Sequence, residues 1–290
     1  MSKPAKKILV FLLLTFVFSS FFYFLIIKSG SRGNLSIGLM WCPGLAGLIT
    51  QLIFERSLRG LGWRFKPVKY QFLAYLTPLA YALAAYLLLW LTGLGRFDPQ
   101  TAQAGISAAY GIPATLPTPV FTVLYFLVIA TLVFMMGGLL PALGEEIGWR
   151  GLFVPELSKL TSFTNVSLIS GLVWAVWHAP LLLFADYNNA GAPRWYGLLC
   201  FAVLVISVSF VFAWLRLKSG SLWTAAILHA AHNAFIQAFF TPLTANTGST
   251  AYFSDEFGLL LALAGVVTAY LFWRKRAELP GPDKAEHIRS

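Results

Sequence analysis

Charged residues are scarce in this chain. Only 11% of its 290 residues are Asp, Glu, Lys or Arg, whereas about 25% is usual for a soluble domain. Apolar residues make up 58%, and the mean hydropathy is +0.73. This composition excludes a soluble globular domain and a disordered chain, and it predicts a polytopic, all-α membrane protein whose principal surroundings are the lipid bilayer.

Signals for redox chemistry, nucleotides and nucleic acids are also missing. The two cysteines, Cys42 and Cys200, lie in apolar runs and lack the spacing of a metal site or a disulfide framework. The sequence has no glycine-rich loop ending in Lys-Ser/Thr, which argues against an ATP-driven machine. The net charge of +10 does not predict a nucleic-acid partner, because the few charges lie between long apolar runs.

Long apolar runs are abundant. A bilayer core about 30 Å thick requires about 20 apolar residues in a helix. The runs that qualify, none of which contains Asp, Glu, Lys or Arg, are residues 8–27, 35–54, 72–92, 120–144, 164–184, 196–215, 222–241 and 257–273. The first run exceeds the usual length of a signal-peptide core and has no small-residue cleavage site after it. The sequence therefore predicts eight transmembrane helices.

The distribution of Lys and Arg predicts the orientation. With the N-terminus in the cytoplasm, the cytoplasmic segments hold 17 of these residues and the outer segments hold 4. Because cytoplasmic loops are enriched in Lys and Arg, both termini are predicted to be cytoplasmic. The number of predicted helices favours a prokaryotic plasma membrane.

Two acidic residues, Glu145 and Glu146, directly follow the fourth run. Glu146 and Arg150 are four residues apart and lie on one face of a helix, so they are expected to pair. Glu145 points about 100° away from that face. A carboxylate that is partly desolvated and lacks a cation suits a general base. The alternative is a cytoplasmic helix end with solvated charges.

Two later runs contain histidines. Trp174 and His178 are one turn apart, as are His229 and Asn233. Either pair alone is also compatible with hydrogen bonding between helices. If the fourth helix continues past residue 144 to about Lys159, Glu145 and His178 each lie roughly 21 Å, and His229 roughly 16 Å, from the cytoplasmic ends of their helices. Similar depths predict one functional site.

The ordered motifs resemble the CPBP family of intramembrane proteases, also called the ABI family, which includes the type II CAAX prenyl endopeptidases. Its pattern is E-E-x-x-x-R, then F-x-x-x-H, then H-x-x-x-N or H-x-x-x-D. The chain has the first motif at residues 145–150 and the third at residues 229–233. Trp174 stands where the family usually has Phe, and His232 lies outside the pattern. The resemblance covers about residues 120–240.

The resemblance implies an eight-helix endopeptidase with an intramembrane cavity open to the cytoplasm and a peptide or lipidated protein as substrate. It also implies that the chain has three segments. Residues 1–119 hold the first three helices and an external loop, and residues 120–241 form the catalytic core. Residues 242–290 hold the last helix and a cytoplasmic tail. Glu145 and His178 would activate water, and His229 and Asn233 would stabilise the oxyanion. The residues that would organise the site or meet the substrate are Glu146, Arg150 and Trp174.

Three alternatives stay open. The motifs favour a glutamate-dependent mechanism without metal, but Glu145, His178 and His229 could supply the three ligands of a catalytic zinc. A metalloendopeptidase is therefore the first alternative. A transporter or proton relay also uses buried Glu and His, although the chain shows no repeat symmetry. The third is an immunity scaffold whose polar clusters only join helices.

Overall fold

The regular structure is almost entirely helical. The computed structural model describes residues 1–110, 115–188 and 191–280. The first three apolar runs form α1 (Lys3–Ser29), α2 (Gly33–Glu55) and α3 (Val68–Leu91). The Ser2 hydroxyl caps the start of α1 by accepting a backbone N–H, and Gly30, at φ 64°, ends the helix in the left-handed conformation.

The fourth apolar run is helical beyond its predicted end. It comprises α5 (Thr118–Val128), a π-helical segment (Ile129–Gly138), α6 (Leu139–Glu146), a second π-helical segment (Ile147–Phe153) and α7 (Val154–Leu157). The expected continuation past residue 144 is confirmed. The run bends by 45° between Phe134 and Leu139.

The remaining runs form α8 (Phe163–Phe184), α9 (Arg194–Ser219), α10 (Trp223–Phe235) and α11 (Leu259–Arg274). A π-helical segment, Ile236–Phe240, extends α10. The Ser162 hydroxyl caps α8, and Gly220, at φ 71°, ends α9. Every predicted apolar run is thus helical.

Short elements connect these helices. α4 (Pro99–Tyr110) follows β1 (Arg96–Phe97), which pairs antiparallel with β2 (Thr244–Ala245). Single 3₁₀ turns occupy Arg59–Leu61, Thr250–Tyr252 and Lys275–Glu278. Residues 111–114 of the predicted outer loop lie outside the described residues, as do Lys284 and Arg289, which the charge count includes.

The loops lie at two opposite ends of the helix bundle. At the basic end, where α1 begins and α2 and α7 end, Lys7 Nζ lies 2.7 Å from Glu156 Oε1. At the other end, here called the Arg32 end, α2 begins and α8 ends, and the Arg32 guanidinium lies over the Tyr187 ring. Glu256, just before α11, accepts a hydrogen bond from Tyr187 at that same end.

Five helices in the described part of the chain are long and apolar enough to cross a membrane, namely α1, α2, α3, α8 and α9. The bent run from Thr118 to Leu157 would be a sixth. The other two predicted spans are shorter as α-helices, with 13 residues in α10 and 16 in α11. The count of eight therefore stays a prediction.

Glycines bring α2 into backbone contact with the fourth run. A Cβ atom added to Gly44 would lie 2.3 Å from the Gly144 carbonyl oxygen, and one added to Gly148 would lie 2.3 Å from the Pro43 carbonyl oxygen. This close approach places the two glutamates after Gly144 directly beside α2. Side chains from all three predicted segments share one buried core, and the three-part division stays a prediction.

Candidate active site

The charged residues of the first motif are fully buried. Glu145, Glu146 and Arg150 are 1%, 0% and 1% exposed, which excludes the solvated helix end. Arg150 donates to Glu146 Oε1 at 3.0 Å, so the predicted ion pair is confirmed. The guanidinium carbon also lies 4.1 Å from the centre of the Trp174 ring and 3.9 Å from that of Phe212. The pair and the ring contacts offset part of the desolvation of the arginine.

Trp174 joins the three motifs. Its indole Nε1 donates to Glu145 Oε2 at 2.9 Å. Its ring centre lies 5.7 Å from that of His178 and 5.5 Å from that of His229. The expected packing against His178 is confirmed, whereas the bond to Glu145 could not be read from the spacing. A Phe at this position could not donate that bond.

The His178 ring has a defined tautomer when it is neutral. Its Nδ1 lies 2.9 Å from the Trp174 carbonyl oxygen, one turn earlier in α8. Because a carbonyl oxygen only accepts, Nδ1 must carry the hydrogen, and Nε2 keeps its lone pair. The half-buried ring lines a cavity. It can therefore accept a proton or a hydrogen bond from a molecule in that cavity.

His229 forms a hydrogen bond with Glu146 of the first motif. Its Nδ1 lies 2.9 Å from Glu146 Oε1, the oxygen that Arg150 also contacts. The carboxylate accepts, so His229 Nδ1 donates. His229 can then donate from Nε2 only as an imidazolium. Sequence reasoning predicted the Arg150 partner of Glu146 but missed this second one. Asn233, one turn further along α10, is half-buried and lines the same cavity.

The cavity has a volume of about 200 Å³. Its lining includes Glu145, Trp174, His178, His229 and Asn233. The predicted water-activating and oxyanion-stabilising residues therefore face one space, while Glu146 and Arg150 lie behind its wall.

The exposed lining residues lie at one end of the bundle. They are Arg32 and Gln237, so the cavity opens toward the Arg32 end, away from the basic end. The charge distribution places the basic end in the cytoplasm, whereas the resemblance predicts a cavity open to the cytoplasm. In this fold the two predictions exclude each other.

A second acidic residue in the cavity escaped the sequence analysis. Glu256 accepts hydrogen bonds from His232 Nε2 at 2.8 Å, Gln237 Nε2 at 2.9 Å and the Tyr187 hydroxyl at 3.0 Å. Burial raises the pKa of the Glu256 carboxyl, but these hydrogen bonds outweigh burial and hold the pKa below its usual range. His232, outside the family pattern, also contacts the Tyr81 hydroxyl through Nδ1.

The sequence contains a signal that could have identified Glu256 as a site residue. The acid lies directly before the last apolar run, just as Glu145 and Glu146 lie at the end of the fourth. An acidic residue beside a predicted span marks a position where a charge lies at the edge of the apolar core. Its three donors come from α10, the segment after α10 and the loop after α8, and no sequence spacing predicts that convergence.

Within residues 1–110, 115–188 and 191–280, no three His, Cys, Asp or Glu side chains form a group that could hold a metal ion. In this structure the Glu145, His178 and His229 set does not fit a zinc site.

Part of the chain matches a known protein family in sequence. Residues 127–235 match the sequence model of the Rce1-like family, described as type II CAAX prenyl endopeptidase Rce1-like. The predicted family resemblance is confirmed. The matched segment contains every residue of the three motifs.

A curated relative matches over a similar length. CAAX prenyl protease 2 of Methanococcus maripaludis is 30% identical over 136 residues, which are 46% of this chain and 47% of the relative. The chain therefore spans about half the length of the curated relative it matches. Together with the long apolar helices, the family match supports an integral membrane protein.

Proposed function

We propose that this protein is an intramembrane endopeptidase that hydrolyses a peptide bond near the C-terminus of a membrane-bound polypeptide, with lipidated proteins as the substrate class. The main support for this function is the position of Trp174, which contacts Glu145, His178 and His229 beside one cavity. A buried carboxylate and a histidine with a free lone pair suit activation of a water molecule.

In the first step, water attacks the carbonyl carbon of the substrate. Glu145 Oε2 accepts the Trp174 N–H, so Oε1 is the oxygen that takes the proton from water. His178 Nε2 accepts the second water hydrogen as a hydrogen bond and orients the nucleophile. The C–N bond then breaks, and the proton held by Glu145 passes to the leaving amine.

The negative charge on the carbonyl oxygen forms only during this step. We infer that His229 Nε2 and the Asn233 amide donate to that oxygen, because both side chains line the cavity from α10. His229 donates in the imidazolium form, since its Nδ1 hydrogen is bound by Glu146. Arg150 shares the Glu146 carboxylate and holds it in place. Glu146 and Arg150 thus act through His229.

This mechanism uses no bound metal. Exhaustive chelation, followed by metal analysis of the purified protein, tests that part of the proposal. We expect cleavage to continue after chelation. Stoichiometric zinc whose removal stops cleavage would make the reaction a metalloendopeptidase reaction and overturn the metal-free mechanism.

The activity itself is tested with purified protein in vesicles and a farnesylated peptide, analysed by mass spectrometry in H₂¹⁸O. Hydrolysis predicts two products, with one ¹⁸O atom in the new carboxylate. The absence of peptide products would contradict the proposal. Proton or solute flux without peptide products would favour a transporter, and neither activity would favour an immunity scaffold.

A further inference from the structure

An arginine is fixed at the mouth of the catalytic cavity. Arg32 directly precedes α2, is exposed, and lines the cavity together with Ser36, one turn later. Its guanidinium carbon lies 4.8 Å from the centre of the Tyr187 ring. Stacking on the ring covers a face of the guanidinium and leaves its N–H edges available for a planar anion.

The neighbouring acids have other partners. Asp186 lies 3.4 Å from Arg194, and Glu256 accepts from three donors, one of which is Tyr187. Within the described part of the chain, no carboxylate forms an ion pair with Arg32. The cavity mouth thus presents a cation that a ligand can pair with.

The separation between Arg32 and the reacting centre can be bounded. The Tyr187 ring centre lies 6.3 Å from the His178 ring centre and 4.8 Å from Arg32 Cζ, so Cζ lies at most about 11 Å from His178. An extended peptide rises about 3.3 Å per residue. A bond cleaved beside His178 would therefore be followed by at most about three extended residues before the substrate carboxylate reaches Arg32.

We propose that Arg32 binds the C-terminal carboxylate of the substrate and so fixes how many residues follow the cleaved bond. The proposal rests on the endopeptidase function above. Arginine suits this role because its planar fork matches a carboxylate with two parallel hydrogen bonds. Arg32 would then determine specificity and take no part in bond breaking.

Two peptide substrates test the proposed role of Arg32. They are identical except that one ends in a free carboxylate and the other in a carboxamide. We expect wild-type protein to cleave the free acid with a kcat/KM about 10–100-fold higher, the effect expected of a charge-assisted hydrogen-bonded pair. Arg32→Gln should lose that preference and cleave both peptides at similar rates, and its cleavage of the carboxamide shows that the variant is folded. Arg96→Gln, which removes an exposed charge at the same end, should keep the preference.

A wild-type acid-to-amide ratio in Arg32→Gln would overturn the proposal, and so would equal cleavage of both peptides by wild-type protein. In both cases the endopeptidase function survives, because peptides are still cut. Failure of wild-type protein to cut either peptide would overturn the endopeptidase function and the Arg32 proposal together.

Discussion

Trp174 is the side chain that holds the site together, since it bonds to Glu145 and packs against both motif histidines. Its contribution has two separable parts, the indole N–H and the aromatic surface. The family's usual Phe supplies only the second. This chain therefore carries a hydrogen bond to its proposed base that the common pattern lacks.

Trp174→Phe should keep the fold and lower kcat about 10-fold, because Glu145 loses one donor while the ring contacts remain. Trp174→Ala should also destabilise the protein by about 3–5 kcal/mol, since it leaves a cavity in the core. Cleavage kinetics and thermal unfolding of both variants check this. A Phe variant as unstable as the Ala variant would show that the N–H bond is mainly structural.

Asn233→Ala should lower kcat by about 10²–10³-fold and leave KM and Tm nearly unchanged, because its donor acts on a charge present only in the transition state. His232→Ala is the matched comparison from the same helix. It removes a partner of buried Glu256 and should cost about 1–3 kcal/mol of stability with little loss of kcat. The reverse pattern would assign the oxyanion role to His232.

The helices are the part of the fold that the sequence predicts best. Long apolar runs must satisfy their backbone hydrogen bonds internally, so each run had to be helical. The π-helical segments and the bend near Phe134 could not be predicted, because these runs are apolar on every face and carry no periodic signal. In the site, the Glu146–Arg150 pair could be predicted because its residues are one helical turn apart. The His229–Glu146 bond could not be predicted, because it joins residues 83 positions apart.

The contact between α2 and the fourth run depends on glycine. Gly148→Ala would place a methyl group 2.3 Å from the Pro43 carbonyl oxygen and force the two helices apart. We expect a loss of about 1–3 kcal/mol in stability. Gly137→Ala is the control, because a Cβ there meets no atom within 4 Å. Thermal unfolding in detergent compares the two, and equal Tm values would contradict the proposed packing role.

The orientation of the protein decides which side of the membrane supplies the substrate. The basic end carries Lys3, Lys7 and Lys159 in ion pairs, and the cavity opens at the other end. If the Lys and Arg distribution sets the topology, the mouth faces away from the cytoplasm. Substrate would then reach the site from the outer face or from within the bilayer.

Reporter fusions test the orientation. Fusions after Lys69, Lys159 or Lys218 should read cytoplasmic, and one near Gln103 should read external, because of the 17 to 4 charge distribution. A cytoplasmic signal at Gln103 would overturn this topology. It would also place the Arg32 end in the cytoplasm and agree with a cavity open to that side.

Proton transfer from water to Glu145 is tested by the cleavage rate of Glu145→Gln under single-turnover conditions. The Gln side chain can still accept the Trp174 N–H, so the variant should fold and bind substrate normally. Glu55→Gln, at the basic end, serves as a control with an unchanged rate. Glu145→Gln should lower the rate by about 10²–10⁴-fold, the usual contribution of a general base, and cleavage at the wild-type rate would contradict this role of Glu145.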